Sequence, residues 1–202
     1  MTRAAVQKVH CTMQFVTSET ITNHYVFFWK GIFSQWSATQ FRIQGETFNS
    51  CEQWMMASKA RLFGDEETRA AIMATTSRRR QKNLGRQVQG FDQSLWDQVK
   101  FDLVVFGNYA RSQEDEAFRQ ALLETEYLIL VEANPMDSIW GVGFAADKAL
   151  YHIVEWGENL LGLALVKVRT ALQEPTKTTK TILPNQGTPA WVLLQKVFSL
   201  AK

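Results

Sequence analysis

The stretch CEQWMMASKA, Cys51 to Ala60, constrains the fold more than any other part of the chain. Trp54, Met55, Ala57 and Leu62 recur at helical spacing, Ser50 stands where an N-cap belongs, and Gln53 holds the capping-box position three residues on. The pattern predicts a helix that ends near Gly64 and looks buried. It nevertheless carries an acid, Glu52, and a base, Lys59, seven residues apart. That spacing is almost two helical turns, so both side chains project from nearly the same face, about 10 Å apart along the axis. They are too far apart for a simple ion pair. One reading is a ligand site, with Met55 or Met56 as an apolar floor between an acid and a cation. The other is that Glu52 complements the helix dipole while Lys59 snorkels to solvent.

The rest of the chain supplies elements for this helix to pack against. At 202 residues and 46% hydrophobic, it is long enough for one well-packed domain. YVFFWKG (25–31) and ATQFRIQGETF (38–48) read as two short strands joined by the FSQWS turn. DEETRAAIMAT predicts a second helix opened by acids. RRRQKNLGRQV leads into a longer amphipathic helix with Leu95, Trp96, Val99, Leu103 and Phe106 on its apolar side. EDEAFRQALLET reads as a helix, YLILVEA as a strand, NPMDSIWGVGF as a turn region, 151–156 as a mixed segment, and GENLLGLALVKVRTAL as a final core helix. The expected fold class is α+β, a helix-rich single domain with a small sheet. Residues 1–24 form a poorly defined lead-in and 25–172 the domain. Residues 173–202 hold three of the four prolines and read as a linker followed by an amphipathic helix, which either folds back or meets a partner.

Several function classes receive no support. A net charge of +2 argues for neither nucleic acid nor membrane, so any basic footprint must be local. Cys11 and Cys51 make no metal spacing and no disulfide framework, and His10, His24 and His152 form no ligand set. No metal and no cofactor are expected. No apolar stretch approaches a membrane span, and the first residues lack a signal-peptide core, so the expected setting is soluble and intracellular, cytoplasmic or nuclear.

Three further constellations carry chemistry. EANPMDSIWGVGF packs an acid, a proline turn, Asp137, Trp140 and the glycines Gly141 and Gly143 after a predicted strand. Such glycines let backbone N–H groups approach a phosphate or sugar, and Trp140 offers a face for a base; the alternative is a tight turn with a core tryptophan. GENLLG puts Asn159 and Gly162 at the start of the last helix, where free N–H groups suit an anion, or where they simply cap it. RRRQKNLGR, 78–86, is the densest basic segment, either a solvated loop face or a phosphate clamp.

FSQW (33–36), EQWMMASKA, NLGRQV (83–88), FGN (106–108), LVEANPMDSIWGVG (130–143) and NLLG (159–162) occur in the order seen in the NADAR superfamily, named for NAD and ADP-ribose chemistry, and residues 25–170 resemble it. The resemblance implies a metal-independent N-glycosidase domain that hydrolyses a ribose–nitrogen bond. Family activities include cleavage of early riboflavin-pathway intermediates, which are phosphoribosyl-amines, and removal of ADP-ribose from guanine in nucleic acid. By motif, Glu52 matches the helix acid taken as catalytic, Lys59 the lysine seven residues on, and Asp137 and Trp140 the acid and indole of D-x-x-W-G-x-G. Glu52, Asp137 and Lys59 are thus the candidate catalytic residues. Ser34, Trp36, Met56, Lys82, Arg86, Trp140, Gly141, Gly143, Asn159 and Gly162 are the candidate substrate-binding residues. Lys82 and Arg86 would hold a pyrophosphate or a single-stranded DNA backbone, and Trp36 and Trp140 would stack on a base or pack in the core. Bacterial riboflavin-pathway members read SEHYFQAQK here, so Gln53 replaces a histidine, Trp54 a tyrosine and Met56 a glutamine, giving a less polar floor. The expected activity is release of ADP-ribose from ADP-ribosylated guanine in DNA. The alternatives are a riboflavin-intermediate N-glycosidase and a non-catalytic NAD or ADP-ribose binding module.

Overall fold

The computed structural model describes residues 19–174 throughout and, beyond them, 182–184, 186–188, 191–192 and 194–195. His10, Cys11, most of the lead-in and most of the linker and terminal helix lie outside the described residues. Among those described near the C-terminus, Ile182 and Leu194 are buried in the main core.

Strand β2 (Tyr25–Phe28) is buried on both faces and is therefore central. Alternation sends Val26 and Phe28 into the main core and Phe27 into a second cluster with Val131, Val142 and Ala149. It pairs antiparallel with β1 (Thr20–Ile21) and parallel with β5 (Ile129–Glu132), with Phe28 opposite Glu132. Leu130 joins Val26 and Phe28 in the main core, so period two turns Glu132 toward that same side of β5.

The expected pairing across FSQWS does not form. Residues 41–43, β3 (Phe41–Ile43), instead fold back on β4 (Glu46–Phe48) as a separate hairpin. Gln44 and Gly45 between them both have positive φ, 52° and 81°, as a tight two-residue hairpin turn requires. A strand already flanked by β1 and β5 has no free edge for β3, so the chain makes two small sheets where one was expected.

Helix α1 (Cys51–Leu62) is buried along nearly its whole length. The Ser50 hydroxyl accepts from Gln53 N–H at 3.1 Å, and the Gln53 side-chain oxygen accepts from Asn49 N–H at 2.8 Å, one residue before the usual capping-box donor. The Gln53 amide donates to the Ile72 carbonyl at the end of α2 (Glu66–Met73) at 3.1 Å. The Trp54 indole donates to the Leu103 carbonyl of α4 (Gln93–Glu114) at 2.7 Å, in a notch opened by Gly107. The basic segment is not a loop. Ser77 caps it as α3 (Arg78–Gly85), and its last residue, Gly85, packs directly on Met56 of α1. That contact brings α3 alongside the start of α1.

Helix α5 (Glu116–Glu124) leads into β5, and a turn region and a short helix, α6 (Ala146–Ala149), precede α7 (Leu160–Gln173). The start of α7 is stitched to β5: the Asn159 amide donates to the Leu130 carbonyl at 2.9 Å, and its oxygen accepts from Glu132 N–H at 3.0 Å. A Cβ on Gly162 would overlap the Leu130 carbonyl oxygen, a backbone atom that cannot swing aside. Gly162→Ala is therefore expected to cost about 3 kcal/mol, read as a drop of several degrees in Tm by calorimetry. Among the described residues, no helix is long and apolar enough to cross a membrane.

Candidate active site

A cavity of ≈ 580 Å³ opens where the N-terminal half of α1, the 29–37 segment, α3 and the loop after β5 meet. That volume is in the range of small-molecule and cofactor sites. Glu52, Met55 and Met56 enter it from α1, Ser34, Gln35 and Trp36 from the FSQW turn, Lys82 from α3, and Glu132, Asp137 and Trp140 from β5 and the loop beyond.

Two carboxylates are sunk in its wall. Glu52 is 5% exposed and Glu132 9%, and in each one oxygen, Oε1 of Glu52 and Oε2 of Glu132, has no hydrogen-bond partner. Burial pushes the Glu52 carboxyl above its ordinary value; Lys82, the Trp36 indole and Arg86 pull it back, and Asp137 adds to the rise. Burial also pushes Glu132 up, to about 8, with Asp137 and Glu52 raising it further and Lys82 opposing. Near neutral pH Glu132 thus keeps its proton and sits beside a second, more strongly countered carboxyl. Burial thus raises both carboxyls, and they differ in the positive groups at hand: Lys82, the Trp36 indole and Arg86 at Glu52, Lys82 at Glu132.

Asp137 lines the same cavity but is committed to its own turn: Oδ1 accepts from Ile139 N–H at 3.0 Å and from Trp140 N–H at 2.8 Å. This Asx arrangement presents the Trp140 ring to the cavity. Gly143 N–H donates to the Asp137 carbonyl at 3.0 Å, and Gly141 lies against the Glu132 carbonyl. Both glycines shape the loop from behind and do not line the cavity.

The structure brings together Glu52, Asp137, Ser34, Trp36, Met56, Lys82 and Trp140. It does not bring Lys59 to them. From the last turn of α1, the Lys59 ammonium lies 3.9 Å from the Phe91 ring centroid and 5.7 Å from that of Trp96, and burial lowers its pKa. The cations that line the cavity are instead Lys82, contributed by α3, and Lys30. Arg86, the C-cap of α3, is exposed outside the lining, although its charge reaches Glu52. Asn159 and Gly162 also stand apart, serving the α7–β5 junction. Of the departures from SEHYFQAQK, Gln53 and Trp54 point into packing contacts, whereas Met56, beside Met55, faces the cavity.

Sequence reasoning noted the acid that opens EANPMDSIWGVGF, Glu132, without making it a candidate site residue, and missed Gln35 and Lys30; all three line the cavity. The signal for Glu132 was present as a carboxylate ending the otherwise apolar strand ILVE. Among the described residues, no group of three or more His, Cys, Asp or Glu side chains could hold a metal ion.

Residues 27–173 match the family model of the NADAR domain. N-glycosidase R617 of Acanthamoeba polyphaga mimivirus is 41% identical over 169 residues, covering 76% of this chain and 99% of that protein. Protein irg-1 of Caenorhabditis elegans is 34% identical over 129 residues, 62% of this chain and 61% of that one. N-glycosidase YbiA of Escherichia coli K12 is 28% identical over 161 residues, 79% of this chain and 93% of its own. The NMR structure of E. coli YbiA matches with a TM-score of 0.63 at 23% identity, covering 84% of this chain and 94% of that chain, a likeness of fold. With the family model spanning the whole helical core and both cavity walls, this chain belongs to the NADAR domain family.

Proposed function

We propose that this chain is an N-glycosidase that hydrolyses a ribose–nitrogen bond and removes ADP-ribose from ADP-ribosylated guanine in DNA. The observation that carries the reading is the pair of buried carboxyls, Glu52 and Glu132, each with an unpartnered oxygen, in one cavity with three tryptophans and two lysines. The names of R617 and YbiA, both N-glycosidases, support the reaction class.

Breaking the bond sends its electron pair to the departing nitrogen and builds positive charge on the ribose. The Glu52 carboxylate stabilises that oxocarbenium-like state and takes a proton from the attacking water. Glu132, protonated near neutral pH, donates a proton to the leaving base. Water adds to the anomeric carbon, and the two carboxyls exchange their protons with solvent to reset. Trp140 and Trp36 supply stacking faces, and Asp137 fixes the Trp140 end of the site.

Lys82 and Lys30 supply positive charge for a pyrophosphate. In the cavity lining, Trp29 is 44% and Trp36 41% exposed, and Arg79, Arg80 and Arg86 of α3 and its C-cap are exposed basic residues suited to a nucleic-acid backbone. The apolar Met56 floor differs from the glutamine of riboflavin-pathway relatives, which favours the ADP-ribosyl substrate over the smaller phosphoribosyl-amine. Release of ADP-ribose from the modified strand and of the sugar phosphate from the phosphoribosyl-amine, followed side by side, tests the choice: faster cleavage of the phosphoribosyl-amine would overturn it, and binding without product would point to a non-catalytic module. Lys82→Met is expected to raise KM for the phosphate-bearing substrate about tenfold in steady-state kinetics and, because the Lys82 charge also holds down the Glu52 carboxyl, to lower kcat at neutral pH with partial recovery as pH rises.

A further inference from the structure

Gln35 is only 8% exposed, lines the cavity, and has no hydrogen-bond partner for either its Oε1 or its Nε2. A buried donor and a buried acceptor left unmade on one side chain cost about 1–3 kcal/mol each, so such a group marks a place where something else completes the bonds. Its position is fixed. The Gln35 carbonyl accepts from Glu52 N–H at 3.0 Å, which ties the residue to the first turn of α1. On either side, Ser37 N–H donates to the Ser34 carbonyl at 3.0 Å and Trp36 N–H to the Ser34 hydroxyl at 3.2 Å. From behind, the buried Arg111 donates to the Ile32 carbonyl at 3.0 Å and to the Ser37 hydroxyl at 3.3 Å. The Gln35 backbone is thus held in a hydrogen-bonded turn tied to that of Glu52, and both side chains line the same cavity.

From this geometry we infer that Gln35 is the specificity-determining residue for the ribose cis-diol, an assignment that rests on reading the cavity as a riboside site. With Glu52 at the anomeric carbon, the nearest sugar substituent for a group bonded to the Glu52 backbone is the 2′-hydroxyl, and the 3′-hydroxyl is next to it. A planar primary amide sets an acceptor and a donor side by side, so one hydroxyl donates to Oε1 and its neighbour accepts from Nε2. Glu52 does not offer that combination once ionised, because it only accepts. A 2′-deoxy sugar strands half of the Gln35 amide, and a site built to bond a hydroxyl discriminates strongly against the analogue that lacks it.

The test measures binding, so it needs no turnover. Ribose 5-phosphate and 2-deoxyribose 5-phosphate are titrated against the full chain, with the fluorescence of the cavity tryptophans Trp29, Trp36 and Trp140 as the signal. The wild type is expected to bind the ribose compound about tenfold more tightly. Gln35→Met, close to glutamine in length and without its hydrogen bonds, is expected to bring the two affinities within about twofold, mainly by weakening ribose binding. Gln35→Ala, which keeps the backbone bond to Glu52, is the second variant should methionine disturb the turn. Equal affinities in the wild type, no binding of either compound, or an unchanged ratio in the variants would overturn the assignment. Discrimination by a chain that cleaves no riboside would sink the glycosidase reading and leave Gln35 standing, whereas cleavage with an unchanged ratio would do the reverse.

Discussion

Glu52→Gln is expected to lower turnover about a thousandfold while Kd for the intact substrate stays within about twofold. Glutamine has the shape of glutamate, so the buried slot between α1 and the FSQW turn keeps its packing. What disappears is the negative charge that grows in value as the ribose becomes cationic, and the oxygen that accepts the proton of water. A loss confined to the transition state appears in kcat and kcat/KM together and leaves Kd in place, which separates it from Lys82→Met, where substrate binding weakens as well. Tryptophan fluorescence titration reads Kd, and product release under saturating substrate reads kcat. Stability should hold or rise, because the substitution removes a buried carboxylate with an unpartnered oxygen.

Glu132→Gln is expected to change both the pH dependence of stability and that of turnover. In the folded chain the Glu132 carboxyl is pushed from its ordinary 4.5 to about 8, so the folded state holds this proton more tightly than the unfolded state does. Wild-type stability therefore falls as pH rises from about 4.5 to about 8 and levels off above that. The glutamine variant escapes this penalty. Its Tm should match that of the wild type near pH 5 and exceed it by several degrees near pH 9, equivalent to a few kcal/mol. Turnover moves the other way, with a loss of about a hundredfold and disappearance of the alkaline limb set by Glu132 ionisation. A Tm gap that does not vary with pH would remove Glu132 as a proton-holding group.

How much of this was legible in the sequence depended on how local each signal is. The α1 helix, its Ser50 cap and the projection of Glu52 toward a methionine floor follow from spacing alone. So does the Asp137–Trp140 turn, whose Asx bonds span three residues. Lys59 shows the limit of helical geometry: it shares a helix face with Glu52, but the side chain ends over Phe91 and Trp96, placed there by a distant segment. Glu132 faces the cavity only because β5 lies parallel to β2, a pairing between residues about a hundred positions apart that no local pattern encodes. Gln35 reads as an ordinary turn residue until the α1 N-terminus buries it. Asn159 and Gly162 carry the composition of an anion site, yet close packing on the Leu130 carbonyl accounts for both. The basic run was within reach, since Ser77 precedes it as an N-cap and Gly85 closes it.

The most direct test of the central claim is the intact mass of a single-stranded oligonucleotide carrying ADP-ribosylated guanine, after incubation with the wild type and with Glu52→Gln in parallel. The account predicts that the wild type alone removes the ADP-ribose mass and leaves unmodified guanine in the strand. An oligonucleotide that keeps its ADP-ribose with the wild type, or loses it equally with Glu52→Gln, would contradict it.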